Sequence, residues 1–548
     1  MNNFKGRIDM IESNQHQNYS SGLNKYSGAW DHAAVRHLLK RTLFGATKKD
    51  IQYFLSLGFT ASVEELLSDT FTEPAPPLKD YNPTASVAPD NAISIGQTWV
   101  NDMSIDGTLS SLRRSSFKKW WAGLMINQGR SIREKMTLFW HNHFATETIE
   151  VVIAQYVYRH HKLLRSLALG NFRDLVKKAT LDPAMLIYLN GQNNNKAVPD
   201  ENYARELQEL FVIGKGINAQ FSEEDVKAAA KILTGWRNNN TKLEPYFDLT
   251  RHDISNKTFS AFYGGKTIAG VNSANGGEAE LDQLIEMLLS QKEAALFICR
   301  RLYTWFVYYN ITPAIEREII EPLADIFRKN NYEILPVLKA LISSEHFFDS
   351  ANRGCQIKSP VDLIIGLTRE LEITFPARDQ VSTLYTLWNQ LVVYLSSSQQ
   401  DLGDPPDVSG WKAYYQTPLF YGNWINTDTM PKRLQYTQNL ISPGYTASGF
   451  KMMVPAIDYV KGFQNPSDPN KLLDDICNHL LGVDISATHK NQIKKDILLS
   501  GQIDDHYWTN AWDTYINAPN LTSNTNYVNN ALINLLKYII NLPEYQLC

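Results

Sequence analysis

Apolar residues recur along most of this chain at three- and four-residue intervals, the period of helices that bury one face. Order is expected to begin at Trp30-Asp31-His32-Ala33-Ala34-Val35-Arg36-His37-Leu38-Leu39. Phe44-Gly45-Ala46-Thr47 then ends that helix, and Thr47 caps the next, from Lys48 to Leu57. Helical patterns return at 111–128 and 131–144, continue through 150–168 and recur to about residue 236. They resume at 278–349 and 359–397, and the tail from 450 is helical with polar interruptions.

Four stretches break the pattern. Residues 1–29 are dominated by Asn, Ser, Gln and Gly and read as a flexible arm. Residues 73–110, rich in Pro, Ser, Asn and Asp, read as a long surface excursion. Residues 237–280 turn to Asn, Gly, Thr and aromatics, which suggests an irregular lobe with a short hairpin. Residues 400–430 are too rich in Pro, Gly and Trp for regular helix. Strand signals are sparse and no fixed repeat is evident. The expected class is therefore mainly α: a multi-helix globular array with long irregular loops and at most a small β-hairpin lobe. The expected division is an arm at 1–29, a main helical domain at 30–435 and a C-terminal helical subdomain at 436–548.

Composition narrows the function classes. An apolar fraction of 43% with 20% charged residues is that of a folded globular chain rather than a disordered one. Fifty-three basic residues nearly balance 57 acidic ones and form no long basic run, which argues against nucleic acid as a partner. Cys299, Cys355, Cys477 and Cys548 make no C-x-x-C pair, so a thiolate zinc site and a disulfide framework are both disfavoured. The N-terminus shows no apolar signal region, and no segment approaches the roughly 18 apolar residues that span a bilayer. The expected compartment is the cytoplasm, with export alongside a signal-bearing partner left open. There is no P-loop, G-x-S-x-G, G-x-G-x-x-G or H-E-x-x-H pattern.

Candidate chemistry collects in three segments. In a helix from Ile132 to Phe144, Ile132, Met136, Phe139, Trp140 and His143 share one stripe, which places His143 on the apolar face and turns His141 nearly the opposite way. In a helix from Glu201 to Ile213, capped by Asp200, Tyr203, Leu207 and Leu210 form the core stripe. Asn202, Glu206, Glu209 and Ile213 form the adjacent one, with Arg205 beside them to pair with a carboxylate. A third helix opens at Ser222 with Asp225 three residues on, and His252-Asp253 follows in a loop as a ligand or acid–base pair. Each segment also has a plainer reading. These are a core histidine bonded to main chain, an acidic face or ion pair around Arg205, and a turn held by an Asp side chain.

Several of these residues fall in motifs that resemble the bacterial "domain of unknown function 1800" family, over about residues 30 to 435. The matching pieces include His37 to Thr47, Arg133-Glu134-Lys135-Met136 leading into Phe139-Trp140-His141-Asn142-His143-Phe144, and Glu201-Asn202-Tyr203-Ala204-Arg205-Glu206-Leu207 with Glu209-Leu210. Thr234-Gly235-Trp236, His252-Asp253 with Lys257 and Gly264, Lys358-Ser359-Pro360 and Pro405-Pro406-Asp407-Val408-Ser409-Gly410-Trp411 follow in order. The resemblance implies a mainly helical family of unsettled biochemistry, encoded beside a sulfatase-like family ("domain of unknown function 1501"). The segment before Pro405, at Asp401-Leu402-Gly403-Asp404, is shorter than is usual there.

Two expectations follow. In the first, one pocket joins His143 or His141 to Asn202, Glu206 and Glu209, with His252-Asp253 closing a side and Arg205 orienting a carboxylate. His143, Glu206, Arg205, His252 and Asp253 would carry hydrolytic or redox chemistry. His141, His143, Asn202, Glu206 and Glu209 would hold a divalent metal ion, a first-row transition metal or zinc suiting such a mixed N/O set better than calcium. Without metal, Glu206 with a pKa raised by burial would act as general base. In the second, the chain is a non-catalytic partner or assembly factor of the sulfatase-like protein. Its motif residues would then form a buried polar network, and the aromatic stretch 411–424 would be an exposed docking surface.

Overall fold

In the computed structural model, residues 21–82, 90, 93–104 and 106–548 are described. Helices α1 (His32–Thr42), α2 (Gly107–Ile126), α3 (Arg133–His143), α4 (Ala154–Ser166) and α5 (Asn202–Glu206) lead into α6 (Glu223–Ile232), α7 (Gly276–Leu289), α8 (Lys292–Phe306), α9 (Pro360–Glu370), α10 (Thr429–Ile441) and α11 (Thr522–Asn541), with shorter helices between. Their starts follow from local chemistry. Asp31 accepts from the Ala34 amide at the head of α1 (2.9 Å), and Lys40 and Arg41 oppose the macrodipole at its end. Thr47 caps Lys48–Leu57, and Ser222 with Asp225 forms a reciprocal capping box at α6, both as expected.

The class is mainly α. The strands are three two-residue to four-residue antiparallel pairs. Two lie in the irregular lobe: β1 (Trp236–Asn239) on β2 (Glu244–Phe247) and β3 (Lys257–Thr258) on β4 (Thr267–Ile268). The third, at Tyr445–Ala447 and Phe450–Met452, falls outside the expected lobe; its turn is made by Ser448 and Gly449, both at positive φ. No helix among the described residues is long and apolar enough to cross a membrane.

One apolar core extends from Ala34 to Tyr545 and includes side chains from both ends of the chain. Of the expected arm, residues 1–20 lie outside the described residues. Residues 21–29 meet the far side of the chain: the Tyr26 amide donates to Ser343 O (2.8 Å), and the Tyr26 ring stacks on Phe348. At the C-terminal end, α11 packs on α10, and the Cys548 amide donates to Gln356 O (2.9 Å).

Two expectations are corrected here. The 73–110 segment is not simply a surface excursion. Trp99 is fully buried, with its Nε1 donating to Ser116 Oγ (3.2 Å). Asp90 is buried as well; its carboxylate accepts from Tyr81 Oη (2.8 Å) and pairs with Arg113 (3.1 Å). A Trp and an Asp–Arg pair hold the segment down because α2 offers both an apolar groove and a buried cation. The 411–424 stretch is also turned inward. Trp411, Tyr421 and Trp424 are buried, and among its larger apolar side chains Leu419 is exposed, at 61%.

Candidate functional site

The α3 histidines separate as helical geometry requires. His143 is 1% exposed and surrounded by the rings of Phe139, Trp140, Phe144, Phe172, Phe211 and Phe297. Its Nε2 lies 2.9 Å from the Phe211 carbonyl, which can only accept. Nε2 therefore carries the proton and Nδ1 is left as a buried acceptor with no partner. Burial, and secondarily the charge of Arg301, pushes this imidazole well below its usual range, so it is neutral. His141 points to another part of the core, against Trp121, Trp411 and His160, and burial lowers it likewise.

Between the two histidines, Asn142 makes the most specific contact of the motif. Its Oδ1 accepts from the Trp411 amide at 2.8 Å across 269 residues. The backbone at Gly410 is at φ +91, and a Cβ there would overlap both Asn142 O and Asn142 Oδ1. Glycine is required on both counts. The Pro-Pro-Asp-Val-Ser-Gly-Trp segment is thus seated directly on Trp-His-Asn-His. A further histidine, His160 of α4, reaches Phe144 O with Nε2 and Asp182 Oδ2 with Nδ1, both at 3.1 Å. Periodicity did not single it out, because its partner Asp182 is known only once α4 and the 183–188 helix are packed.

The second segment does not continue as one α-helix. After α5 the chain takes a π turn at Leu207–Val212, where Ile213 and Gly214 both donate to Gln208 O. Widening the turn shifts every later side chain from its expected angle. It leaves Phe211, a last-turn carbonyl without an intrahelical donor, to His143. Asp200 accepts from the Asn202 amide (2.9 Å), but the helix starts one residue later than expected, with Glu201 rather than Asp200 at its N-cap. Arg205 makes a two-bond fork with Glu223 (2.8 and 2.6 Å) and a contact with Glu201 (3.2 Å), so its charge is committed. Glu209 pairs with Lys215 (2.8 Å), and Asn202 is exposed. Glu206 differs from these. Its Oε2 is buried without a hydrogen-bond partner, and burial raises its carboxyl above the ordinary range, against the pull of Lys215.

His252 belongs to a third, separate cluster. Its Nδ1 faces Thr234 O (2.9 Å) and its Nε2 faces Glu280 Oε1 (3.0 Å), while Lys257 binds Glu280 Oε2 (2.6 Å). All three charged or polar side chains are fully buried or nearly so. Burial works against the Glu280 carboxylate, but bonds from His252, Lys257 and the Val271 amide outweigh it and hold its pKa down. Asp253 borders the same cluster, its Oδ1 3.9 Å from Lys257 Nζ, and also accepts from the Ser255 amide (2.8 Å), the turn-holding role of the plainer reading.

His143, His141, the Glu206 face and the His252 cluster occupy distinct surroundings. Among the described residues no three His, Cys, Asp or Glu side chains stand close enough together to hold a metal ion, so the set His141, His143, Asn202, Glu206 and Glu209 does not fit one. Arg301 was also missed by sequence reasoning. It sits half-buried over Phe297, and burial pushes its guanidinium down to about 10. Nearby Tyr415 donates to Asp407 Oδ2 (2.8 Å).

A family model described as "Protein of unknown function (DUF1800)" matches residues 37–547, extending past residue 435 to nearly the end of the chain. No curated protein and no solved structure matches.

Proposed function

We propose that this chain, which belongs to the DUF1800 family, is a non-catalytic partner or assembly factor, and that its partner is a sulfatase-like protein. One observation supports the reading: four polar side chains of the motif each have a polar atom bonded to the chain's own backbone across a long sequence separation. His37 Nε2 is bonded to Phe347 O (2.9 Å), Lys40 Nζ to Leu480 O (2.7 Å), Asn142 Oδ1 to the Trp411 amide and His143 Nε2 to Phe211 O. A catalytic base must reach a substrate proton, and these groups are sealed inside the core. Their role is to fix how distant segments pack. Binding then falls to the surface, where Val198, Ile217 and Leu419 project from loops flanking the motif segments at 74%, 90% and 61% exposure. The full chain is expected to co-purify with the sulfatase-like protein. Ile217→Lys and Leu419→Lys are expected to weaken the complex roughly tenfold each with unchanged thermal stability. Absence of any complex between the two purified proteins would sink this reading.

A second reading rests on Glu206 alone. A half-buried carboxyl with an unpartnered oxygen and a raised pKa suits a general acid or base. Carbon-detected NMR of the carboxyl should place its titration above the ordinary Glu value of about 4.3. In Lys215→Met it should move higher still, since Lys215 pulls it down. A midpoint at or below the ordinary value removes the reading.

A further inference from the structure

Where the end of α2, the end of α9 and the Val381–Ser397 helix meet, a cavity of about 560 Å³ opens to solvent. One side of it is apolar: Ile126, Ile373, Phe375, Leu384 and Trp388. Ile373, Leu384 and Trp388 are buried, while Ile126 and Phe375 are half-buried. Tight helix packing sets this wall. The Val381–Ser397 helix lies on α2 at Gly123, where a Cβ would stand 2.6 Å from the Trp388 ring, so glycine is what lets the indole come this close.

The polar side carries mostly one sign. Lys49, Arg369 and Arg378 line the cavity against one carboxylate, Glu372. The acids that touch or neighbour these groups have cations of their own. Glu372 pairs with Lys48 at 3.6 Å, and Asp50 is shared by Arg130 (3.0 Å) and Arg369 (3.2 Å). Glu370, which also acts on Arg369, binds Lys40 at 2.9 Å. Asp80, which acts on Tyr385 together with Arg378, binds Lys119 at 2.6 Å. Asp379, next to Arg378 in sequence, is exposed and does not line the cavity. Lys49 and Arg378 remain. Both are exposed, and among the described residues neither makes an ion pair or a hydrogen bond. The Lys48–Leu57 helix also begins here, with its N-cap Thr47 in the lining, so the positive end of its dipole adds to the same sign. A single unpaired surface cation is ordinary. Two of them bordering a concave space with an apolar wall is the arrangement of a ligand site, and the volume lies within the usual range of about 300–1,000 Å³.

The two sides together limit what fits. A neutral apolar molecule would leave the cations unanswered, and a small inorganic anion would leave the apolar wall in water. The Glu372 carboxylate in the lining favours one negative charge over two. We propose that this cavity binds a small amphipathic carboxylate, its apolar body against Phe375, Leu384 and Trp388 and its head group answered by Lys49 and Arg378. Octanoate and 3-phenylpropionate are the probes, the first offering an alkyl body and the second an aromatic one. Titration calorimetry on the full chain is expected to show at least one of them binding with a Kd of about 1 mM or tighter. That probe should bind roughly tenfold more tightly than octan-1-ol or acetate, and more weakly as sodium chloride is raised. Lys49→Gln and Arg378→Gln remove exposed, unpaired charges, so each variant should keep its melting temperature while binding the probe roughly tenfold more weakly. No binding of either probe at a few millimolar, octan-1-ol binding as tightly as octanoate, or unchanged affinity in both variants would each overturn the proposal.

Discussion

Acidification from pH 6.5 to about 5 is expected to unfold this chain cooperatively. Five histidines, His37, His141, His143, His161 and His479, are at most 7% exposed. In each, burial is the largest cause of a lowered pKa, His479 reaching about 3. The unfolded chain titrates these groups near 6.5. Above that pH neither state binds the proton, and their neutral packing costs nothing. Below it the unfolded state takes up protons that the native state refuses, so stability falls as pH drops from 6.5 towards the lowered native values. Each histidine then removes about 1.4 kcal/mol per pH unit. The five losses have the same sign and so add as pH falls below 6.5, against a total stability of only about 5–15 kcal/mol for a typical fold.

Tryptophan fluorescence and circular dichroism across a pH series should show this transition centred between pH 5 and 6. His161 offers the sharper check. Both its ring nitrogens are buried without a partner, among Phe117, Trp120 and Trp121. His161→Phe should therefore move the acid midpoint to lower pH without loss of neutral stability. A chain that stays folded at pH 4.5, or a variant whose midpoint does not move, would contradict the argument.

The second large effect concerns Glu280. Its two oxygens hold Lys257 (2.6 Å), His252 (3.0 Å) and the Val271 amide (2.7 Å) in a site with no water access. Glu280→Leu removes the nearer carboxylate from a lysine that is 1% exposed, leaving it only the more distant Asp253 at 3.9 Å. Breaking a buried pair in this way costs about 3–5 kcal/mol. Adding Lys257→Met removes that charge and replaces the pair with apolar side chains. The double variant is thus expected to be more stable than Glu280→Leu alone, with a coupling of at least about 1 kcal/mol in the double-mutant cycle. Urea unfolding of the four proteins measures this directly, and additive losses would show that the pair is not the unit holding the lobe. The same experiment probes what His252 does. If its place in the family motif is structural, the loss should appear in stability of the 237–280 lobe.

Much of this molecule was readable from its residues in order, because the forces involved act within a few positions. Thr47 and the Ser222–Asp225 pair marked helix starts through hydrogen bonds to amides two or three residues on. The mainly helical class followed from apolar periodicity, and the same 100° step separated His143 from His141. The raised pKa of Glu206 was foreseeable from a carboxylate set beside an apolar stripe. Tertiary packing decided the rest. The π turn after Glu206 has no local signature, since it exists to seat Leu207, Phe211 and Val212 in the core while giving a carbonyl to His143. The inward turn of Trp411 and the need for glycine at 410 depend on Asn142, which is 269 residues from Trp411 in sequence. The His252–Glu280–Lys257 cluster likewise joins segments whose distance in the chain hides their distance in space. Local bonds set where each helix begins and which face it buries. Which faces meet is set by long-range packing, and that determined that the motif's polar groups are divided among separate interior sites.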